Sequence, residues 1–236
     1  MANSDLFLDQ FNAIERRLRE MTRLGRDSRF FALVDTAARN DQLVRRFQDD
    51  LRKFGDLRNA IVHERAGNRV IAEPNDWAVQ RIEAIAKQIL QPPRVTPHFQ
   101  HDVFILSDRA PIAEAVTAMH TNAFSQVPVY RDDTFLGLLT ANTITRWLGA
   151  NVGEDLVSLS ETTIGQVLAH TEDSKHVDFM ARDTTLVDVL ERFLAREVLG
   201  KRLEAIVITH DSRPNTKPLG IVVAYDLAKI NRLLDA

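Results

Sequence analysis

Apolar residues in the first third of the chain return every three or four positions: Phe7, Phe11, Ile14 and Leu18 in one run, then Phe30, Val34, Leu43, Phe47, Leu51 and Phe54. That period puts them on one face of a helix, so residues 1–91 are expected to form an all-α helical bundle. Gly25 and Gly67 sit where helices should stop. Glu73-Pro74-Asn75-Asp76 offers capping side chains ahead of a last helix over 77–90. Gln91-Pro92-Pro93 should end that helix, because adjacent prolines favour an extended connector. Residues 92–97 are therefore read as a linker.

Beyond Thr96 the pattern changes to short β-rich runs alternating with helices, and it repeats. A strand over 103–106 leads to a helix over 112–120, strands over 127–130 and 136–140 joined by a turn at 131–133, and a helix through Trp147. The same order returns with Phe179-Met180, a helix over 186–195, strands over 205–209 and 219–223, and a helix over 226–234. Matching positions drift apart from 74 residues (Ile112 to Leu186) to 83 (Gly137 to Gly220), which places the insertions in loops. The expected class is α+β: a helical segment followed by a tandem β-α-β-β-α unit over 98–236, with repeats at about 98–150 and 171–236.

Composition narrows the chemistry. The 236 residues contain no cysteine, which excludes disulfides, thiol nucleophiles and cysteine zinc sites. A formal charge of −3 hides an uneven distribution. Residues 1–92 hold 16 Lys+Arg, 14 of them Arg, against 14 Asp+Glu, or +2; residues 93–236 hold 14 against 19, or −5. Arginine suits bidentate phosphate binding, but +2 is far below the excess of a general nucleic-acid binder. No apolar run is long enough to span a bilayer and the first residues do not read as a leader, so a cytoplasmic location with no membrane partner is expected. His98 and His101 lack a third ligand at metal-like spacing, so no metal site is expected. Asp132-Asp133 reads as a hairpin turn, and Trp77 and Trp147 read as core.

Three stretches carry a family resemblance: Phe124-Ser125-Gln126-Val127-Pro128-Val129-Tyr130, Leu136-Gly137-Leu138-Leu139-Thr140-Ala141-Asn142-Thr143, and Leu219-Gly220-Ile221-Val222-Val223-Ala224-Tyr225-Asp226. Residues 98–236 resemble the paired CBS domain, the regulatory module named after cystathionine β-synthase. The resemblance implies two copies packed by their sheets with pseudo-twofold symmetry. Their clefts would take an adenosine compound such as AMP, ADP, ATP or S-adenosylmethionine, so that the module senses rather than catalyses. A hydroxyl residue at the start of the last helix would meet a phosphate, and an Asp three residues on would take the ribose. The first copy has Thr140 but Thr143 in place of the Asp; the second has Asp226 but Val223 in place of the hydroxyl. Phe124, Ser125 and Leu203 would open the segments that wall the adenine. Thr140 and Asp226 suit helix caps equally well.

The helical segment holds Asp56-Leu57-Arg58-Asn59-Ala60-Ile61-Val62-His63-Glu64. Arg58, Asn59 and His63 match the motif of the HEPN superfamily, which residues 1–91 resemble. That resemblance implies a motif opening a late helix, a homodimer and, in many members, a metal-independent RNase. Arginine and a near-neutral histidine suit 2′-OH attack on a phosphate, although one histidine cannot easily serve as both base and acid. On an ideal helix Asn59 and His63 share a face, whereas Arg58 lies about 140° round from His63. Arg58 and Glu64 equally suit surface salt bridges, and His63 a helix C-terminus. The combined expectation is a homodimeric adenine-nucleotide sensor whose helical output either cleaves RNA or, as a non-enzymatic scaffold, docks a partner. Phe7, Phe11, Phe30 and Phe31 are expected to be more than the helical segment alone can bury.

Overall fold

The computed structural model describes residues 2–25, 27–63, 65–66, 69–70, 72–153, 157–172 and 176–235, with only the backbone of His63, Arg65, Ala66, Arg69 and Val70. Two compact units emerge: Met1–Pro93 with Asn231–Ala236, and Arg94–Ile230.

In the first unit α1 (Asn3–Thr22), α2 (Phe30–Asn40), α3 (Gln42–Arg46) and α4 (Gln48–His63) precede a short antiparallel hairpin, β1 (Arg65–Ala66) and β2 (Arg69–Val70), and α5 (Asp76–Leu90). The three-to-four spacing does what it should, since Phe7, Phe11, Ile14 and Leu18 are all buried along α1. Phe7 meets Phe54 edge-on at 5.5 Å, and Phe11 meets Phe30 at 4.3 Å. Phe7 and Phe11 are at most 2% exposed and Phe30 and Phe31 are half-buried, so this unit absorbs the phenylalanines expected to be in surplus. Other local expectations shift. Arg23, not Gly25, ends α1 in the left-handed conformation (φ 54°), its N–H donating to Arg19 O. Asn75 caps α5 by accepting from Ala78 N at 2.9 Å. Trp77, on the first turn of that helix, is 64% exposed rather than core. Much of the arginine is spent internally: Arg45 donates to Ala38 O and Arg39 O at the end of α2, Arg52 pairs with Asp35, and Arg81 with Asp50.

The second unit opens with an irregular turn, α6 (Val95–His98), in which Thr96 is extended. Two three-stranded sheets follow. The first contains β3 (Leu106–Ser107), β4 (Gln126–Arg131) and β5 (Thr134–Thr140), with α7 (Ile112–Asn122) after β3 and α8 (Ala141–Ala150) after β5. Then α9 (Ile164–Leu168) leads to β6 (Val177–Ala181), α10 (Leu186–Val198), β7 (Ala205–Thr209), β8 (Gly220–Val223), a 3₁₀ turn (Ala224–Asp226) and α11 (Leu227–Asp235). In each sheet the first two strands are parallel and the last two antiparallel, with the same strand order. That is the repeat read from the sequence. The expected strand over 103–106 shrinks to two residues, because the chain just before it is held elsewhere: His101 N donates to Leu219 O at 3.0 Å. Phe104 and Ile105 are left exposed.

Helix α9 was not expected. Thr163 and Gln166 form a capping box, and Ile164 and Val167 join Leu106, Ile112, Val127, Leu139 and Trp147 in one buried cluster. The first repeat's core is thus completed by a helix that follows it in sequence. The end of α11 clusters with the helical unit, where Arg46 pairs with Asp235 at 2.7 Å and Gln88 donates to Leu233 O.

Candidate functional site

Two clefts open between the repeats of the second unit, each using the strand-to-helix junction of one repeat and the segment before the central strand of the other. The larger, about 570 Å³, gathers Phe124 and Ser125 from the first repeat with Val223, Asp226 and Lys229 from the second. Ala123 ends α7 in the left-handed conformation (φ 54°), and Phe124 N donates to Met119 O; this reversal presents the Phe124 ring at the cleft. The ring is partly exposed and lies 6.1 Å from that of Phe104. Asp226 folds back over the 3₁₀ turn, its Oδ2 accepting from Val223 N at 2.9 Å. Among the described residues its other oxygen has no protein hydrogen bond, so a cap and a ligand are compatible on one carboxylate.

The smaller cleft, about 280 Å³, contains Thr140 and Thr143 with Lys201, Arg202 and Glu204. Several of its polar groups are committed to neighbours, while the buried Thr171 hydroxyl has no hydrogen-bond partner among the described residues. Thr140 Oγ1 accepts from Thr143 N at 3.0 Å and lies 3.0 Å from Thr143 Oγ1, so it caps α8. Arg202 pairs with Glu204 at 2.9 Å, and Arg146 with Glu172 at 2.6 Å. His176 Nε2 lies 3.3 Å from Leu138 O.

The structure therefore brings Phe124, Ser125 and Asp226 together and Thr140 with Thr143. Leu203 does not wall a cleft: it is buried at 5% exposure, with Arg202 and Glu204 on either side of it lining the smaller one. Alternation explains the difference, since successive side chains of an extended segment point in opposite directions. Sequence reasoning missed Lys229, although it lies three residues beyond Asp226 and so on the same helical face. It also missed Phe99, for which the connector offers no periodic signal. In the first unit Arg58 is half-buried, with Nη1 3.4 Å from Asn59 Oδ1. These residues occupy the closing turns of α4, so the motif ends a helix rather than opening one. The His63 side chain and Glu64 lie outside the described residues.

Among the described residues the perturbed acids and bases lie outside both clefts. Asp108 is buried and held below the usual carboxylate range by its hydrogen bond from Arg131, which outweighs the opposing loss of solvent. Burial pushes the Tyr130 hydroxyl up to about 12. At Asp35 burial acts upward, but Arg52 and Gln48 together lower the carboxyl. None of these three groups lines either cleft.

Residues 98–150 match the family model of the CBS domain; this is the first repeat. No curated protein matches the sequence. Among solved structures, a CBS-domain-containing protein of unknown function from Kribbella flavida is similar at 12% identity and a TM-score of 0.41, over 56% of this chain and 94% of its own. A CBS-domain protein of unknown function from Thermoplasma acidophilum is 21% identical, with a TM-score of 0.43 over 60% and 75%. The CBS domain of a bacterial CNNM/CorC family Mg2+ transporter, solved in complex with ATP, is 18% identical, with a TM-score of 0.43 over 63% and 92%. Among the described residues no helix is long and apolar enough to cross a membrane.

Proposed function

We propose that the chain is a regulatory protein whose CBS pair binds an adenosine ligand in the Asp226 cleft and controls the helical unit. One observation carries this reading: Phe124, Ser125 and Asp226, distant in sequence, line a single cleft of about 570 Å³, within the size range of small-molecule sites. Asp226 accepts the ribose hydroxyls and Phe124 supplies an apolar wall for the base. The Thr140 cleft is the weaker of the two, being about half the volume and having the Thr140 and Thr143 hydroxyls and the Arg202 guanidinium already paired. Calorimetric titration with AMP, ADP, ATP and S-adenosylmethionine tests the reading. Asp226→Ala is expected to weaken the bound ligand about tenfold or more, since hydrogen bonds to a charged group contribute ~1.5–3 kcal/mol. Unchanged affinity removes Asp226 from the site.

For the output we propose a HEPN-like domain acting as a homodimer, with Arg58 and Asn59 at a surface for RNA phosphates and His63 as the proton-transfer group. The adjacent placement of Arg58 and Asn59 at the end of α4 supports this. The alternative output is a non-enzymatic docking surface on the same unit.

A further inference from the structure

Residues 94–101 do not hang as a free linker. Val95 N donates to Thr184 O at 2.8 Å, His101 N donates to Leu219 O at 3.0 Å, and the Phe99 carbonyl passes so close to Gly220 that a Cβ there would lie 1.9 Å from its oxygen. The segment is a strap laid across the second repeat, and His98, Phe99 and His101 form one wall of the Asp226 cleft. One side chain closes it from the opposite side. Lys229 Nζ donates to His98 O at 3.1 Å and lies 4.4 Å from the centre of the Phe99 ring.

We propose that Lys229 is a phosphate-responsive clasp: it holds the strap in the empty cleft, and the phosphate of an anionic ligand takes its ammonium away from the strap. The inference rests on the placement of the ligand in the Asp226 cleft. An ammonium held by a carbonyl oxygen and a ring face has two neutral partners, and a phosphate oxygen makes a stronger, charge-assisted bond than either. Lysine suits the exchange, because its point charge rides on a flexible stem and is not tied to a planar fork. Asp226 and Lys229 both line this cleft; with Val223 standing where a hydroxyl would meet the phosphate, the Lys229 ammonium is the lysine or arginine cation among its lining residues, and a ligand with its sugar on Asp226 has it as the phosphate partner. A nucleoside fills the cleft without reaching the clasp. The protein thereby reads the charge of its ligand as well as its presence. The strap continues directly into Pro92-Pro93 and the end of α5, so its release acts on the covalent connection to the helical unit.

The test uses the full chain, with adenosine, AMP and ATP as probes and amide hydrogen exchange at Phe99 and His101 as the readout. In the wild type, AMP and ATP are expected to speed exchange at both amides, and adenosine to leave it as in the free protein. Lys229→Met should show the fast exchange with no ligand present and no further change with ATP. It should lose about tenfold more affinity for ATP than for adenosine. Lys229→Arg, which keeps the cation, should restore slow exchange. Equal exchange with ATP and adenosine overturns the proposal, as does wild-type exchange in unliganded Lys229→Met. If no probe binds by calorimetry, the ligand reading fails instead, and the unliganded comparison of Lys229→Met with wild type still decides whether the lysine holds the strap.

Discussion

At the scale of single residues, one side chain does two jobs that the sequence presents as alternatives. Asp226 caps its turn with one oxygen and still lines the larger cleft, whereas Thr140 and Thr143 are absorbed in capping α8. Asp108 shows how far a carboxylate can be purely structural. Arg131 donates to it twice, and Gly165 N donates to its backbone oxygen, which ties the end of β3 to α9. Because its folded pKa lies below the unfolded value, the stability it contributes is present above the ordinary carboxylate range and is lost as pH falls through the lowered folded value. Asp108→Asn is therefore expected to lower Tm at pH 7, with the gap to wild type closing in acid below that range. A pH-independent gap in thermal melts would show that packing, not charge, is what the substitution removes.

At the scale of elements, the surprises come where a segment is claimed by a distant partner. The capping signal for α9 is present as Thr163 and Gln166 around an apolar start, yet five residues make no helix unless a core receives them. β3 is short because the strap draws its preceding residues to β8. Gly220 records that crossing, since the chain has room for the Phe99 carbonyl only where no Cβ stands. Its φ is not positive, so the requirement is one of space alone. Gly220→Ala is expected to destabilise the protein by about 1–3 kcal/mol through displacement of the strap, seen as a fall in Tm of several degrees and faster exchange at His101. An unchanged melt would mean that the strap is not held there.

At the scale of the whole molecule, assembly and output each make a measurable prediction. The phenylalanines first expected to drive association are satisfied within their own unit, so the dimer proposal now rests on other faces. Leu194, Val198 and Leu199 on and just after α10, and Leu148 on α8, are exposed. Light scattering is expected to give twice the 26.8 kDa chain mass; a particle of chain mass at micromolar concentration would remove the dimer. If the output is catalytic, purified protein should cut single-stranded RNA in EDTA and leave 2′,3′-cyclic phosphate ends, and DNA should stay intact. His63→Ala and Arg58→Ala should each abolish cutting with stability nearly unchanged. RNA left whole in the presence of each adenosine ligand favours the docking surface.

How much was legible differs between fold and site for a physical reason. Helical period, strand alternation and turn residues are local, so the run from Phe7 to Leu18, the strand over 205–209 and the repeated order of elements could be read along the chain. Asp226 and Phe124 could be nominated because the stretches that hold them resemble the paired CBS domain. Lys229, Phe99 and the strap are invisible to any such reading: their roles arise from long-range contacts, a lysine closing on a carbonyl 131 residues away. Trp77 and Leu203 fail in the same way, since whether a side chain faces solvent, core or cleft depends on what packs opposite it. Local sequence carries the elements and their order, and the meeting of distant surfaces makes a cleft of them.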